Sequence, residues 1–508
     1  MHPFLFYISL LLSAFAKGAP TTALANQIDV LHYQVNLALE PHTRYLQGET
    51  QITIRHKAEV KELALSFGKM EVAAVQVNER QVAFSYHDAH IFIPFTGGDT
   101  NSVVKIRYKG VPDIGLYSKE YKGQLVVYTD SWPDRGRGWL PGVHHPSDPA
   151  TFTLNLELPF GYEAIATGRL RAVDKGNGQS RYFFEMNKPV PTYSFAFAVS
   201  DFSVTEEHIT DSLVVRYCLL KPDSGYAYKL DFIPEVLAFF SEQIGPYPFS
   251  QFAAVQIPLG YPGMENAATA FIRAERFEDG RLAGVIAHEA AHQWFGNTIV
   301  IDSWRDLWLN EGIATYLTTL YQGHADGMEK SLRVWAGMAE VGPGREPAHH
   351  PLASADSSSS GIRPRLTWEA YEKGASVLHT LRLKIGDAAF FSGLREAYRQ
   401  YSETPLTTEG FQEVMEQTSG LNLDTFFKYW VHGNTLPRLQ TTWDESLGIL
   451  RWEVMDGQDM LKGIPFLLEV TQGDQPRYVA ADQGSMHLPS NSKEPPSVRP
   501  VGVMMYVE

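Results

Sequence analysis

The stretch "LAGVIAHEAAHQWFGN", residues 282–297, sets two histidines and a glutamate into an otherwise small and apolar run. Nothing in it breaks a helix before Gly296. On a helix, His288 and His292 stand four residues apart and share one face, one turn apart, so two imidazoles can converge on a single ion. Glu289 flanks the same edge, within reach of a water on that ion but not placed to replace a ligand. In a chain with 17 His, two ordinary helix histidines are the plain alternative. The reading therefore needs a third ligand.

Nineteen residues after His292 comes "WLNEGIATYL", with Glu311 in a second expected helix. A helix, a turn through "NTIVIDSW" and a second helix packed back on the first deliver that carboxylate to the two histidines. His288, His292 and Glu311 then form an open ligand set for catalytic zinc, one ion per chain, with the fourth position left to water. Zinc lowers the pKa of that water and polarises a carbonyl, while Glu289, as general base, takes the proton and hands it to the leaving amine. To this point the residues spell a metallohydrolase without a covalent intermediate. They leave the bond, peptide or ester, open.

The surroundings bound the answer. At 508 residues the chain is too long for one core. A net charge of −15 argues against a nucleic-acid or anionic-membrane partner, which would want a basic face. The single cysteine, Cys218, excludes an internal disulfide and a four-thiolate zinc site. "FLFYISLLLSAFA", Phe4–Ala16, is an apolar run of 13 residues ending in an A-x-A-like signature. It reads as a secretory signal peptide, short for a membrane span and without Lys or Arg before it. The expectation is a secreted or periplasmic protein with no integral membrane span in the mature chain.

Hydrophobic period divides the rest. "YQVNLALE", "ETQITIRH", "SVVKIRYK" and "TFTLNLELP" alternate in the manner of half-buried strands. From Tyr226 the period changes: "LDFIPEVLAFFSEQIG" reads as a helix ending at Gly245, and helical patterns continue to about Trp430. "SADSSSSG", residues 354–361, reads as an exposed loop, and strands return in "LGILRWEVM", "FLLEVTQG" and "VGVMMYVE". The fold class is thus multidomain α+β: signal peptide 1–19, N-terminal β domain 20–205, mainly helical catalytic domain 206–434, and a small β-sandwich-like domain 435–508.

HExxH with a Glu nineteen residues on, in "HEAAHQWFGN" and "WLNEGIATY", resembles the gluzincin zinc aminopeptidases of the aminopeptidase N and leukotriene hydrolase family. Two further stretches carry the resemblance: "YPGMENAATAF", similar to the family's G-x-M-E-N motif, and "YEKGASVLHTL", similar to its Tyr-x-Lys-Gly-Ala segment. It extends from about Tyr33 to Leu439. The resemblance implies a thermolysin-like catalytic domain and a zinc-dependent aminopeptidase. In it His288, His292 and Glu311 bind zinc, Glu289 is the base, and Tyr371 donates to the oxyanion of the tetrahedral intermediate. Glu265 binds the free α-ammonium of a peptide substrate, and Gly263, Met264 and Asn266 complete the substrate-binding segment. Gly263 and Met264 lie on an edge strand where the substrate backbone can pair.

The departures from the family pattern matter as much. Pro262 stands first in the G-x-M-E-N-type motif, and Gly142, His144 and Pro149 replace the usual Cys, Asp and Lys of a first-domain segment. Trp132 occupies the place of a Gln or Glu that helps hold the amine, with Asp130 or Asp134 as possible substitutes. The resemblance is to a short form without the C-terminal helical domain of larger relatives, which implies a more open cleft or a roof from a partner subunit. The oligomeric state is not legible. Three other readings stand beside the aminopeptidase: a thermolysin-like endopeptidase, the family's epoxide hydrolase, and a silent peptide-binding protein. The adjacent pairs His144–His145 and His349–His350 sit on Pro-bounded loops, where neighbours rarely converge on one ion.

Overall fold

The computed structural model describes residues 24–25, 27–95, 101–341, 351–353, 369–473, 475–488 and 495–507. The apolar leader Phe4–Ala16, the Ser354–Gly361 loop and the His349–His350 pair lie outside the described residues.

The N-terminal part is built on an eight-stranded sheet. Ile28–Glu40 pairs antiparallel with Tyr45–His56 along its length and parallel with Ala150–Pro159 on its other side. The alternation read in these strands has its physical cause here: Val35, Leu37, Ile52, Ile54, Leu154 and Leu156 face one core, and the residues between them face outward. Against this core lies a four-stranded sheet in the order Glu163–Ala166, Phe197–Ser200, Gln124–Thr129, Leu116–Tyr121. It is covered on both sides. Val127, Ala164, Ala166, Phe197 and Val199 pack into the first core, whereas Val126, Tyr128, Ile165 and Ala198 pack into a second, larger one.

That second core belongs to the helical half, which opens with a five-stranded mixed sheet. Its strands are β1 (Phe202–His208), β2 (Val214–Leu220), β3 (Gln251–Ile257), β4 (Gly263–Met264) and β5 (Thr269–Arg273), in the order β1-β2-β3-β5-β4. The boundary read at residue 205 falls inside β1, which pairs with β2 along all seven residues. β2 and β3 are buried at every position, so they show no alternation and hid within a half read as mainly helical. β4 is the sheet edge, antiparallel to β5 through Gly263–Ile272 and Met264–Phe271.

The helices follow: α1 (Ile233–Gln243), α2 (Leu282–Ala291), α3 (Leu307–Asp326), α4 (Met328–Ala339), α5 (Gly374–Ile385), α6 (Asp387–Tyr401), α7 (Thr408–Ser419) and α8 (Asp424–Trp430). Their ends follow the sequence. α7 is capped at its start by Thr407, whose hydroxyl accepts from the Gly410 N–H at 2.9 Å, and at its end by Gly420 with φ +70°. α2 stops at Ala291, short of the expected Gly296. The chain turns instead, with Asn297 N donating to His292 O, and Gly296, at φ +129°, donating to Ile299 O.

Two small sheets close the C-terminal part, one holding Arg438–Asp444 and Ile449–Asp456, the other Leu467–Gln472, Gln475–Ala480 and Ser497–Val501. They are not a detached module. Leu468, Val470, Val498 and Val501 enter the same core as the helices, and Glu340–Val341, directly after α4, pairs in parallel with Met505 and Tyr506. The architecture is the expected one: an N-terminal β domain, a helical domain and a C-terminal β-rich region. Among the described residues no helix is long and apolar enough to cross a membrane.

Candidate active site

α2 and α3 pack against each other, and their contact gathers three side chains at one point. His288 Nε2 and His292 Nε2 are 3.1 Å apart, and each lies 3.4 Å from Glu311 Oε2. Donors held about 2.0–2.1 Å from one tetrahedral zinc stand roughly 3.3 Å from one another, so this triangle has the size the ion requires. The tautomer fits as well. His292 Nδ1 lies 3.1 Å from the Phe295 carbonyl oxygen, which keeps a proton on Nδ1 and turns the lone pair of Nε2 toward the triangle. Among the described residues, two groups of His, Cys, Asp or Glu have donor atoms all within 4.8 Å: His288–His292–Glu311 and Glu265–Glu289–His292. They share His292 and form one site.

Charge makes the same case. Glu265, Glu289 and Glu311 are all buried. Burial pushes Glu289 well above the usual carboxylate range, with Glu265 and Glu311 adding to it. Burial likewise lifts Glu265 to about 7. Glu311 is held down at about 2 despite its burial, because His292 and His288 face it. Burial acts to lower both imidazoles. His288 stays below its ordinary value, but the surrounding carboxylates raise His292 to about 10. Three carboxylates thus draw a proton onto an imidazole where a cation would otherwise balance them.

The cavity over this cluster has a volume of about 600 Å³. Gly263, Met264 and Glu265, from the edge strand and the turn after it, form one wall. Glu289 faces that wall so closely that a Cβ on Gly263 would lie 2.3 Å from its Oε1. Tyr371 also lines the cavity, from a π-helical turn (Glu369–Lys373) that leads into α5. Its ring stacks on His288 with centroids 5.9 Å apart and planes 25° apart. Burial and the carboxylates of Glu311, Glu265 and Glu289 hold its phenol far above the ordinary value, so it remains a proton donor.

Not every expected residue faces the cavity. Asn266 is fully buried behind the wall rather than lining it, and its carbonyl accepts from Thr269 N at 2.9 Å. Asp134 lies off the cavity lining, paired with Arg137. Asp130 and Trp132 do line it, but both Asp130 carboxylate oxygens are 2.6 Å from Arg135 Nη2. The His144–His145 pair diverges: His144 Nε2 contacts Leu140 O at 2.9 Å and His145 Nδ1 contacts Ser147 Oγ at 2.8 Å.

The sequence reading missed the supports. Gln293, fully buried, donates to Glu289 O (2.9 Å) and Glu265 O (3.1 Å) and accepts from Ala268 N (2.8 Å). Asn297 donates to the same Glu265 carbonyl at 2.6 Å. Together they clamp the Glu265 turn to the histidine helix. Tyr193 reaches across from the N-terminal part and donates to Gly296 O at 2.5 Å. Gln293 and Asn297 stand in the decisive stretch itself, and their only signal was a polar side chain amid apolar neighbours.

Comparison with known proteins agrees with this geometry. The Peptidase family M1 domain matches residues 228–430, and the Peptidase M1 N-terminal domain matches residues 30–194. The chain belongs to peptidase family M1. Glutamyl aminopeptidase of Bitis rhinoceros is 25% identical over 459 residues, covering 82% of this chain and 47% of that protein. Aminopeptidase M1 of Arabidopsis thaliana is 28% identical over 363 residues, covering 66% and 41%. The chain thus spans about half the length of the curated relatives it matches. It spans far more of an M1 zinc metallopeptidase from Deinococcus radiodurans, whose crystal structure superposes with a TM-score of 0.72 at 26% identity over 81% of this chain and 95% of that one.

Proposed function

We propose that this M1 chain is a zinc aminopeptidase, hydrolysing the N-terminal peptide bond of peptides with a free α-amine. One observation carries the reading. The buried Glu265 carboxylate lies within 4.8 Å of both Glu289 and His292, so an anchor for an ammonium lines the cavity beside the metal triangle. An ammonium bound there sets the first peptide bond at the reacting centre and makes the site an N-terminal ruler. The names of the relatives and the solved structure support the same reading.

His288, His292 and Glu311 would hold the zinc. The ion, when bound, supplies Lewis acidity at an open position and makes water there more acidic. The Glu289 carboxylate takes the proton from the attacking water and delivers it to the departing amine nitrogen. The Tyr371 hydroxyl, fixed by its stack on His288, donates to the carbonyl oxygen as that oxygen gains charge. Met264 and Gly263 present an edge strand to the substrate backbone. Charge closes on this account: a divalent ion and one ammonium balance the three buried carboxylates.

The test is hydrolysis of aminoacyl anilides, each with a free and an N-acetylated amine, after chelation, after zinc return, and with Glu289→Gln. Zinc-dependent cleavage confined to free amines is expected. Equal cleavage of the acetylated series would replace this reading with an endopeptidase or esterase. Residues 1–19 are proposed, on the pattern of Phe4–Ala16 alone, to direct export. Sequencing the N-terminus of protein recovered outside the cytoplasm tests that, and an intact Met1 there would reject it.

A further inference from the structure

We propose that Tyr193, which belongs to the N-terminal part, is a positioning residue for the zinc triangle. Its hydroxyl bridges the turn behind His292 to the residue before Glu311, and so sets how the ligands of the two helices meet. Of the reading above it takes only the zinc ligands, not the substrate.

α2 and α3 are joined by a run of turns from His292 to Asp306, so the separation of their ligands depends on what holds that run. Its first turn lies against both. Gly296 stands at φ +129°, and a Cβ there would lie 3.2 Å from His292 Nδ1 and 3.7 Å from Asn310 Nδ2. The Phe295 carbonyl, just before it, takes the His292 Nδ1 proton at 3.1 Å. The Gly296 carbonyl takes the Tyr193 hydroxyl at 2.5 Å. The same hydroxyl oxygen accepts from Asn310 Nδ2 at 3.4 Å, and Asn310 precedes Glu311 on α3. One buried oxygen therefore ties the segment that orients His292 to the segment that presents Glu311.

A positioning group must itself be fixed, and Tyr193 is. Its ring meets Trp304 at 5.5 Å and 45°, and the short turn that carries it, Thr192–Ser194, is buried throughout. Thr192 Oγ1 donates to Val143 O at 3.2 Å, and Thr167 Oγ1 donates to Ser194 O at 2.8 Å. Ala267 N, two residues past Glu265, donates to the same Ser194 carbonyl at 3.2 Å. Burial, with Glu265 and Glu311 adding to it, holds the phenol well above its ordinary value, so the hydroxyl keeps the proton it donates. Groups that orient metal ligands from behind act on metal affinity as well as on rate. A tyrosine that only filled the space between the two parts would need its ring and not its hydroxyl.

The experiment titrates the metal-free full chain with zinc against a competing chelator, and reads cobalt(II) in the same site by its visible absorption. Tyr193→Phe keeps the ring on Trp304 and deletes the bridge, and Asn310→Leu deletes it from the other side. Each is expected to raise the zinc Kd by about tenfold and to alter the cobalt spectrum. Because both cut one bridge, the double variant is expected to bind zinc about as weakly as either single one, well short of the product of the two effects. Tyr182→Phe is the control for stability alone. It removes a hydroxyl that donates to Tyr162 O at 2.9 Å in the N-terminal core, and is expected to keep the wild-type Kd and spectrum. An unchanged Kd and spectrum in folded Tyr193→Phe would overturn the assignment. So would a fully multiplicative loss in the double variant, or an equal loss in Tyr182→Phe. If Tyr193→Phe does not fold, Asn310→Leu decides by the same two readings. A wild type without peptidase activity whose zinc Kd responds in this way removes the aminopeptidase and leaves Tyr193 in its role. An active wild type whose zinc Kd is indifferent to both substitutions does the reverse.

Discussion

The carboxylate of Glu289 occupies the space where a side chain on Gly263 would begin: a Cβ there would lie 2.3 Å from Glu289 Oε1. The edge strand and the base therefore fit each other only while residue 263 is glycine. Gly263→Ala should push Glu289 off its position without touching His288, His292 or Glu311. A displacement on the order of 1 Å can cost about 10²-fold in rate. The expected result is a fall in kcat/KM of about that size with full zinc content, read by steady-state kinetics beside metal analysis. Unchanged kinetics would mean that Glu289 moves freely and does not depend on this wall.

Gln293 ties three backbone groups of the site to one side chain. Gln293→Leu conserves much of its volume, strips the Glu289 carbonyl and the Ala268 N–H of this partner, and leaves the Glu265 carbonyl to Asn297 alone. Buried groups stripped of partners cost about 1–3 kcal/mol each. A loss of roughly 3 kcal/mol in stability is expected by denaturant titration, together with a higher KM for free-amine substrates, because the Glu265 turn is then held by Asn297 alone. Loss of stability with an unchanged KM would assign Gln293 to the fold alone.

Removing the metal should be felt in the fold as well as in the activity, since three buried carboxylates lose their counter-charge. A ligand at about 1,000 times its Kd adds about 4 kcal/mol of apparent stability. Calorimetry before and after chelation should show a drop in Tm that zinc restores in parallel with activity. A Tm indifferent to zinc would indicate that the triangle does not bind the ion tightly.

How much of this was legible follows from where each signal resides. The three side chains of the triangle lie in short segments whose spacing is set by helix geometry, so the approach of His288, His292 and Glu311 to one point could be read from four- and nineteen-residue intervals. Glu265 and Tyr371 came only with the family resemblance, because a lone buried carboxylate or phenol has no periodic signature. Strands with one wet face were legible in Ile28–Glu40 and Ala150–Pro159. β2 and β3, buried throughout, were not. Contacts between distant segments left the weakest trace. Tyr193 bonding Gly296, and Glu340–Val341 pairing with Met505–Tyr506, depend on chain paths that a local pattern cannot encode.

Asp148 gives a pH test away from the metal. It is buried, accepts from Val30 N at 3.1 Å, and burial raises it from 3.8 to about 7. Between those values the folded chain holds a proton that the unfolded chain has released, so stability falls as pH rises through that window. Asp148→Asn keeps an acceptor and removes the titration. Melting curves from pH 4 to 7 should show the wild type losing ground against the variant, by a few kcal/mol at most. Parallel curves would place this carboxyl in contact with more water than its surroundings suggest.

Tyr371 separates chemistry from binding most cleanly. Its ring is stacked on His288 with centroids 5.9 Å apart, and Tyr371→Phe keeps that ring while deleting the hydroxyl. If the hydroxyl meets the carbonyl oxygen only as charge builds on it, the loss falls on the transition state and spares the bound substrate. Removing one such donor costs about 10²–10³ in kcat. The variant should therefore bind zinc fully, keep a KM near that of the wild type, and lose kcat on that scale. A raised KM with kcat preserved would instead assign the hydroxyl to holding the substrate, and the oxyanion would need another donor.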